Sequence, residues 1–183
     1  MEAPALHIHH DLIDLCRQGD REAYYKLYKL YSRSMYNVGY RIVNDAEEAE
    51  DVLQEAFINA FNNLERYRGD STFGAWLKRI VINKAINSVT RRKADRLPED
   101  DTWDVKEEEV VDTMEGFPFT VAKVREAILN LPDGYRSVLS LYLLEGYDHG
   151  EIAEIMNITE STSKSQFNRA KKKLKELLEG GIL

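Results

Sequence analysis

Apolar residues recur along this chain at spacings of three and four, the period of a helix that buries one face. Ala23, Leu27 and Leu30 open one such run, in a helix that begins near Asp20, just after Gly19. Val52, Leu53, Ala56, Phe57, Ala60, Phe61 and Leu64 form a second stripe. Phe73, Trp76, Leu77, Ile80, Val81, Ala85 and Val89 form a third, capped by Ser71 or Thr72. No segment alternates with the period of two that marks a strand. The pattern predicts an all-α chain.

Between about Ala94 and Gly116 the periodicity stops. Pro98 and the runs Glu99-Asp100-Asp101 and Glu107-Glu108-Glu109 leave too little apolar surface to repay the entropy of ordering. Two small helical domains, 1–95 and 117–183, are therefore expected on either side of a flexible acidic linker, 96–116. In the second, Val121, Val124, Ile128 and Leu131 share a face, Pro132 ends that helix, and Val138, Leu139, Leu141, Tyr142 and Leu144 supply the next one.

The span from Asp148 to Leu178 predicts a helix, a tight turn and a basic helix. Asp148 with Glu151 three residues on is a capping box. Ile152, Ala153 and Met156 then face inward, Asn157 suits a left-handed turn, and Thr159 caps the next helix. In that helix Ser163, Phe167, Ala170, Leu174 and Leu177 line one face. Thr162, Lys164, Ser165, Gln166, Asn168, Arg169 and Lys172 are left on or beside the other. Gln and Asn pair with adenine edges and Arg and Lys with guanine, so the exposed set suits reading of the major groove. The alternative is an ordinary solvated basic helix, but the caps and turn favour a winged-helix-like helix-turn-helix.

Charge distribution supports a nucleic-acid partner despite a net charge of −7. Residues 1–95 carry 14 basic and 14 acidic side chains, and residues 121–183 carry 9 of each. The span 96–120 has 2 bases against 9 acids, which is the whole excess. In the first domain six acids stand between Asp45 and Glu55 with no base, and eight bases against Asp70 follow between Arg66 and Lys93. Two surfaces are implied, one for a protein and one for nucleic acid. Helix-dipole compensation is the simpler account of the acids taken alone. The loop Tyr67-Arg68-Gly69-Asp70-Ser71-Thr72 offers an aromatic platform, a glycine and polar groups, as holding an unstacked base requires. Core packing is the simpler role for Phe73 and Trp76.

Other chemistries are poorly supported. One cysteine, Cys16, excludes an internal disulfide and fits a reducing cytoplasm. The HIHH run of His7, His9 and His10 has no further Cys or His nearby, so a frayed terminus is expected rather than a metal site. There is no phosphate-binding glycine loop, no activated nucleophile, no cofactor motif, no leader pattern and no apolar run long enough for a membrane span. An enzyme is not expected. A DNA-binding protein with a second, protein-binding surface fits these residues, a stand-alone helix-turn-helix regulator among the candidates.

Residues 45–93, DAEEAEDVLQEAFINAFNNLERYRGDSTFGAWLKRIVINKAINSVTRRK, resemble the first conserved domain of extracytoplasmic-function (ECF) sigma factors of the sigma-70 family. Residues 129–177, LNLPDGYRSVLSLYLLEGYDHGEIAEIMNITESTSKSQFNRAKKKLKEL, resemble the second. With Asp11 to Val43, the resemblance covers most of the chain outside the linker. It implies that Asp51, Gln54, Glu55 and Asn59 dock on the β′ clamp helices of core RNA polymerase. Tyr67, Arg68, Gly69, Asp70, Ser71, Thr72 and Phe73 would capture a flipped base of the promoter −10 element. Asn83 would lie near that base, with Lys78, Arg79, Lys84, Asn87, Arg91 and Arg92 along the strand. Lys164, Ser165 and Arg169 match positions contacting the −35 element, and the second domain would meet the β flap. An anti-sigma factor would occlude the polymerase-binding surfaces. Four positions depart from the family pattern. Ser163 stands where a buried Val is common, implying looser packing, Gln166 and Asn168 replace more usual basic and aromatic residues, and Gly74 is smaller than usual.

Overall fold

The computed structural model describes residues 9–95 and 119–180. The acidic linker 96–116 and His7 lie outside the described residues. Two units are distinguished, Met1–Arg91 and Arg92–Leu183, so the division falls near the end of a helix that the sequence places in the first domain. Among the described residues every regular element is helical.

In the first unit, α1 (His10–Arg17) buries Ile13 and Cys16. Burial raises the Cys16 thiol to about 11, helped by the Asp20 charge, so it is an inert core group. Helix α2 (Arg21–Val43) starts where the Asp20 carboxylate accepts from the Ala23 amide at 3.0 Å. It ends at Asn44 in the left-handed conformation. Asp45 caps α3 (Ala46–Asn62) by accepting from the Glu48 amide at 2.9 Å. A 3-10 turn (Leu64–Arg66) then leads through a loop to α4 (Phe73–Asp95). Tyr24 meets Phe61 edge-on with ring centres 4.8 Å apart, and Tyr28 meets Phe57 at 4.9 Å, which zips α2 to α3. Val52 of α3 and Val81 of α4 both reach Gly39 of α2, so the three helices share a core.

One expected core member is misplaced by the period. Leu30 is 52% exposed, because Tyr31, four residues after Leu27, takes the inward position and packs on Phe73 at 5.3 Å. Helix α4 is buried over a wider arc than its apolar stripe suggested. Ile82 and Ile86 are buried along with Val81, Ala85 and Val89, whereas Trp76 and Ile80 are half-exposed.

The second unit comprises α5 (Val121–Leu129), α6 (Asp133–Leu143), α7 (His149–Met156) and α8 (Glu160–Gly180). Helix α5 ends at Leu129, and Pro132 stands at the N-cap position of α6 without a side-chain capping bond. Ile128, Leu131, Leu139 and Ala170 form the core, with Val124, Phe167, Leu174 and Leu177 packed around it. Val121, Tyr142 and Leu144 were expected to face inward but are exposed, as is Leu143. The α5–α6 corner is tied by buried Arg136, which donates to the Leu131 carbonyl at 2.8 Å and to Asp133 at 2.6 Å. Among the described residues the second unit holds only helices, so the expected winged-helix likeness has no strand behind it there.

Candidate nucleic-acid and polymerase interfaces

The loop before α4 is built around two buried rings. Tyr67 and Phe73 are only 5% and 1% exposed, so neither offers a free face to a base. They form the loop's inner wall together with Trp76, with ring centres 5.4–5.7 Å apart. The Tyr67 hydroxyl donates to the Ser71 carbonyl at 2.8 Å and closes the loop across its base. Burial raises the pKa of that hydroxyl, which keeps it a donor. Gly69 turns the chain at φ 81°, a conformation that suits glycine. Thr72 caps α4, accepting from the Ala75 amide at 3.2 Å. The open side of the loop is the edge from Arg68 to Thr72, where Arg68 and Asp70 are exposed.

The small residue at position 74 has a physical cause. A Cβ there would lie 2.9 Å from the Tyr31 ring, so the close approach of α2 to the loop needs glycine.

Along α4, Asn83, Asn87 and Arg91 are exposed, while Arg79 and Lys84 are half-buried. Lys78 does not join them. At 3.6 residues per turn it points about 140° away from Asn83, towards the side occupied by Ala85 and Val89. Arg92 is half-buried near the end of α4.

On α3, Asp51, Gln54, Glu55 and Asn59 are all exposed on one face. The residues nearer the helix start serve it locally: Asp45 is the cap, and Glu47 and Glu48 lie in the first turn, where the helix dipole favours them. Ile58 belongs to the Asp51–Asn59 face as well, 55% exposed among polar neighbours. Its place outside the apolar stripe was the available signal for it.

The helix-turn-helix follows its local signals closely. The capping box of Asp148 and Glu151 is formed, Asn157 adopts φ 53° and ψ 48°, and the Thr159 hydroxyl accepts from the Thr162 amide at 3.0 Å. Lys164, Ser165 and Asn168 line one open hollow with Glu160 and Ser161. Lys172 is exposed and Arg169 half-exposed. Thr162 is drawn into the cap, its hydroxyl 2.7 Å from that of Thr159. Gln166 leaves the expected base-reading set. Its Oε1 is buried and faces Gly134 of α6, because position 166 lies only about 60° from the inward Ser163.

Two family descriptions match the chain: sigma-70 region 2 over residues 27–95 and sigma-70 region 4 over residues 122–174. The RNA polymerase sigma-H factor of Pseudomonas aeruginosa is 32% identical over 185 residues, covering 92% of each chain. The ECF RNA polymerase sigma-E factor of Haemophilus influenzae is 33% identical, covering 93% of each. This chain belongs to the ECF sigma factors of the sigma-70 family. In fold it is similar to the sigma factor RpoE solved with the anti-sigma factor NepR from Bartonella quintana (TM-score 0.56, 21% identity, 84% of this chain and 95% of that one). It is also similar to CnrH solved with the cytosolic domain of CnrY (TM-score 0.53, 20% identity, 93% of this chain and 97% of that one).

This sigma factor also resolves its Ser163 departure in its own way. Ser163 is fully buried, and His149 Nδ1 lies 2.9 Å from its hydroxyl, so hydrogen bonding from the first residue of α7 replaces the packing of a larger side chain. The His149 ring stacks on Tyr142 at 4.7 Å and meets Phe167 edge-on at 5.5 Å. Sequence periodicity gave no sign of this cluster, because His149 lies outside every apolar stripe.

Among the described residues no group of three or more His, Cys, Asp or Glu is placed to hold a metal ion. His10 instead pairs with Asp14 at 3.0 Å. No described helix is long and apolar enough to cross a membrane.

Proposed function

We propose that this ECF sigma factor divides promoter recognition between its two units. It binds core RNA polymerase and directs initiation at promoter DNA. The α3 face of Asp51, Gln54, Glu55 and Asn59, with Ile58 among them, meets the β′ clamp helices. The edge Arg68–Thr72 takes a flipped base of the −10 element, with Asn83, Asn87 and Arg91 along the displaced strand. The α8 face of Lys164, Ser165, Asn168, Arg169 and Lys172 enters the −35 major groove. The exposed end of α6 at Leu143 and Leu144 gives the second unit an apolar contact for the β flap.

The observation that carries this division is the loop closed by the Tyr67–Ser71 hydrogen bond at the head of α4, whose exposed side runs on to Asn83 and Asn87. A preformed loop lowers the cost of strand opening, which is roughly a few kcal/mol per unstacked step. The work is non-covalent, needs no cofactor and is done in the cytoplasm. The likeness to sigma factors solved in complexes supports an anti-sigma partner covering the polymerase-binding face.

Run-off transcription with purified core polymerase tests the assignment. The full chain is expected to give defined starts, and permanganate is expected to find unpaired thymines near −10. Tight dimeric binding to duplex with core polymerase left unprogrammed would instead mark a stand-alone regulator.

A further inference from the structure

Arg17 ends α1, fifty residues before the loop in sequence and beside it in space. Its Nη2 donates to the Tyr67 carbonyl at 2.7 Å. Its Nη1 donates to Asp14 at 3.0 Å, so the guanidinium fork is held from two sides. The side chain is only 26% exposed. The carbonyl that it holds belongs to the residue where the chain leaves the 3-10 turn and enters the loop. The ring of that same residue reaches across to the Ser71 carbonyl at the loop's other end. Asp14, Arg17, Tyr67 and Ser71 thus form one continuous chain of hydrogen bonds from α1 to the far side of the loop. A charge-assisted bond is the stronger kind, and Arg17 sits on the loop's entry point rather than on its exposed edge.

Binding one unstacked base in a loop that must first be ordered costs affinity, and a loop held in shape beforehand avoids that cost. We propose that Arg17 is a positioning residue for strand capture, fixing the edge Arg68–Thr72 through Tyr67 before DNA arrives. This rests on the assignment of that edge to the −10 base. Because Arg17 acts on shape, its loss falls on the discrimination between right and wrong bases. A cation acting on phosphates would instead weaken all sequences alike and flatten the salt dependence.

The test uses holoenzyme reconstituted from core polymerase and the full chain. Affinities are measured for a single-stranded −10 oligonucleotide with the preferred base and for one with that base replaced. Arg17→Ala is expected to narrow their ratio about tenfold, the scale of one charge-assisted hydrogen bond. Binding to a −35 duplex and the salt slope should not change. Arg17→Lys keeps the charge but cannot hold both anchors, and is expected to fall between. If Arg17→Ala fails to assemble, Asp14→Ala removes the second anchor alone and should narrow the ratio by a smaller factor. An unchanged ratio in the variant that assembles, or an equal loss for both oligonucleotides, overturns the proposal. Asp70→Ala and Thr72→Ala report on the loop itself. If they leave the ratio unchanged, the base-capture assignment fails and the role of Arg17 falls with it. If they change it and Arg17→Ala does not, only the role of Arg17 falls.

Discussion

Lys84 Nζ lies 3.1 Å from Glu55 Oε2, so a cation of α4 is paired with an acid of α3. The crevice between them is also lined by Glu48, Asp51, Asn87, Ser88 and Arg91, and the Ser88 hydroxyl donates to Glu48. Under the proposed assignment, polymerase that engages Glu55 would free Lys84 for phosphate.

Glu55→Gln and Lys84→Ala separate the two partners of this pair. A partly exposed ion pair contributes at most about 1 kcal/mol, so thermal stability should change little in either variant. Glu55→Gln should weaken core polymerase binding. Lys84→Ala should leave core binding intact, weaken promoter binding across sequences and lower the salt slope by about one. A Lys84→Ala holoenzyme with an unaltered salt slope would show that Lys84 makes no phosphate contact.

Gly74→Ala should be costly. The added methyl would stand 2.9 Å from the Tyr31 ring, which is itself packed between Phe73 and its own helix. Overpacking of this kind costs about 1–3 kcal/mol. A second change, Tyr31→Leu, removes the clashing ring edge and should recover part of the loss in a double-mutant cycle. Additive losses in chemical denaturation would mean that the two residues are not coupled.

His149 should make the second unit weaker in mild acid. Burial lowers its pKa below the ordinary 6.5, and Lys164 adds to that effect, while Glu160 and Asp148 oppose it. A depressed folded pKa means that the unfolded chain takes up the proton first. Stability is therefore full above 6.5 and declines as pH falls below it towards the lower folded value. An NMR titration of the His149 ring should find a midpoint under 6.5. His149→Asn keeps a hydrogen-bonding group for Ser163 and should remove the decline seen in thermal unfolding between about pH 7.5 and 5.5. A ring midpoint above the ordinary value would reverse the sign of the effect.

What was legible in the sequence depended on how local its cause was. The α7–α8 turn was legible because Asp148, Glu151, Asn157 and Thr159 act within one turn of their own position. The face of α3 was legible because its apolar stripe is continuous, so Asp51, Gln54, Glu55 and Asn59 had one place to go. The loop was harder. Tyr67 looks the same in sequence whether it faces a base or the core, and its burial is decided by Phe73 and Trp76 packing on it and by Tyr31 crossing from α2. Gln166 and Lys78 lie apart from the faces expected for them for a related reason: a polar residue at the edge of an apolar face turns inward or outward according to what the neighbouring helix leaves open. The His149–Ser163 pair was not legible, since the two side chains lie on different helices, and the burial of Arg136 was not, since it depends on the Leu131 carbonyl outside its own helix.

Glu160 should restrain what α8 reads. Its carboxylate lies 2.6 Å from Lys164 Nζ, both side chains being more than half exposed, and the pair opens the face that carries Ser165 and Asn168. In a major groove the acid repels phosphate but aims Lys164 and can itself accept from a cytosine amino group. Glu160→Ala should therefore raise affinity for any duplex, because one repulsive charge is gone, and at the same time lower the ratio between matched and mismatched −35 sites. A good contact of this kind is worth about 1–3 kcal/mol of discrimination, so the ratio should fall roughly tenfold at one base pair. Fluorescence anisotropy with holoenzyme, a −35 duplex and its single-base variants at two salt concentrations measures both effects together. Tighter binding with an unchanged ratio would mean that Glu160 contributes only its charge and that Lys164 needs no guide.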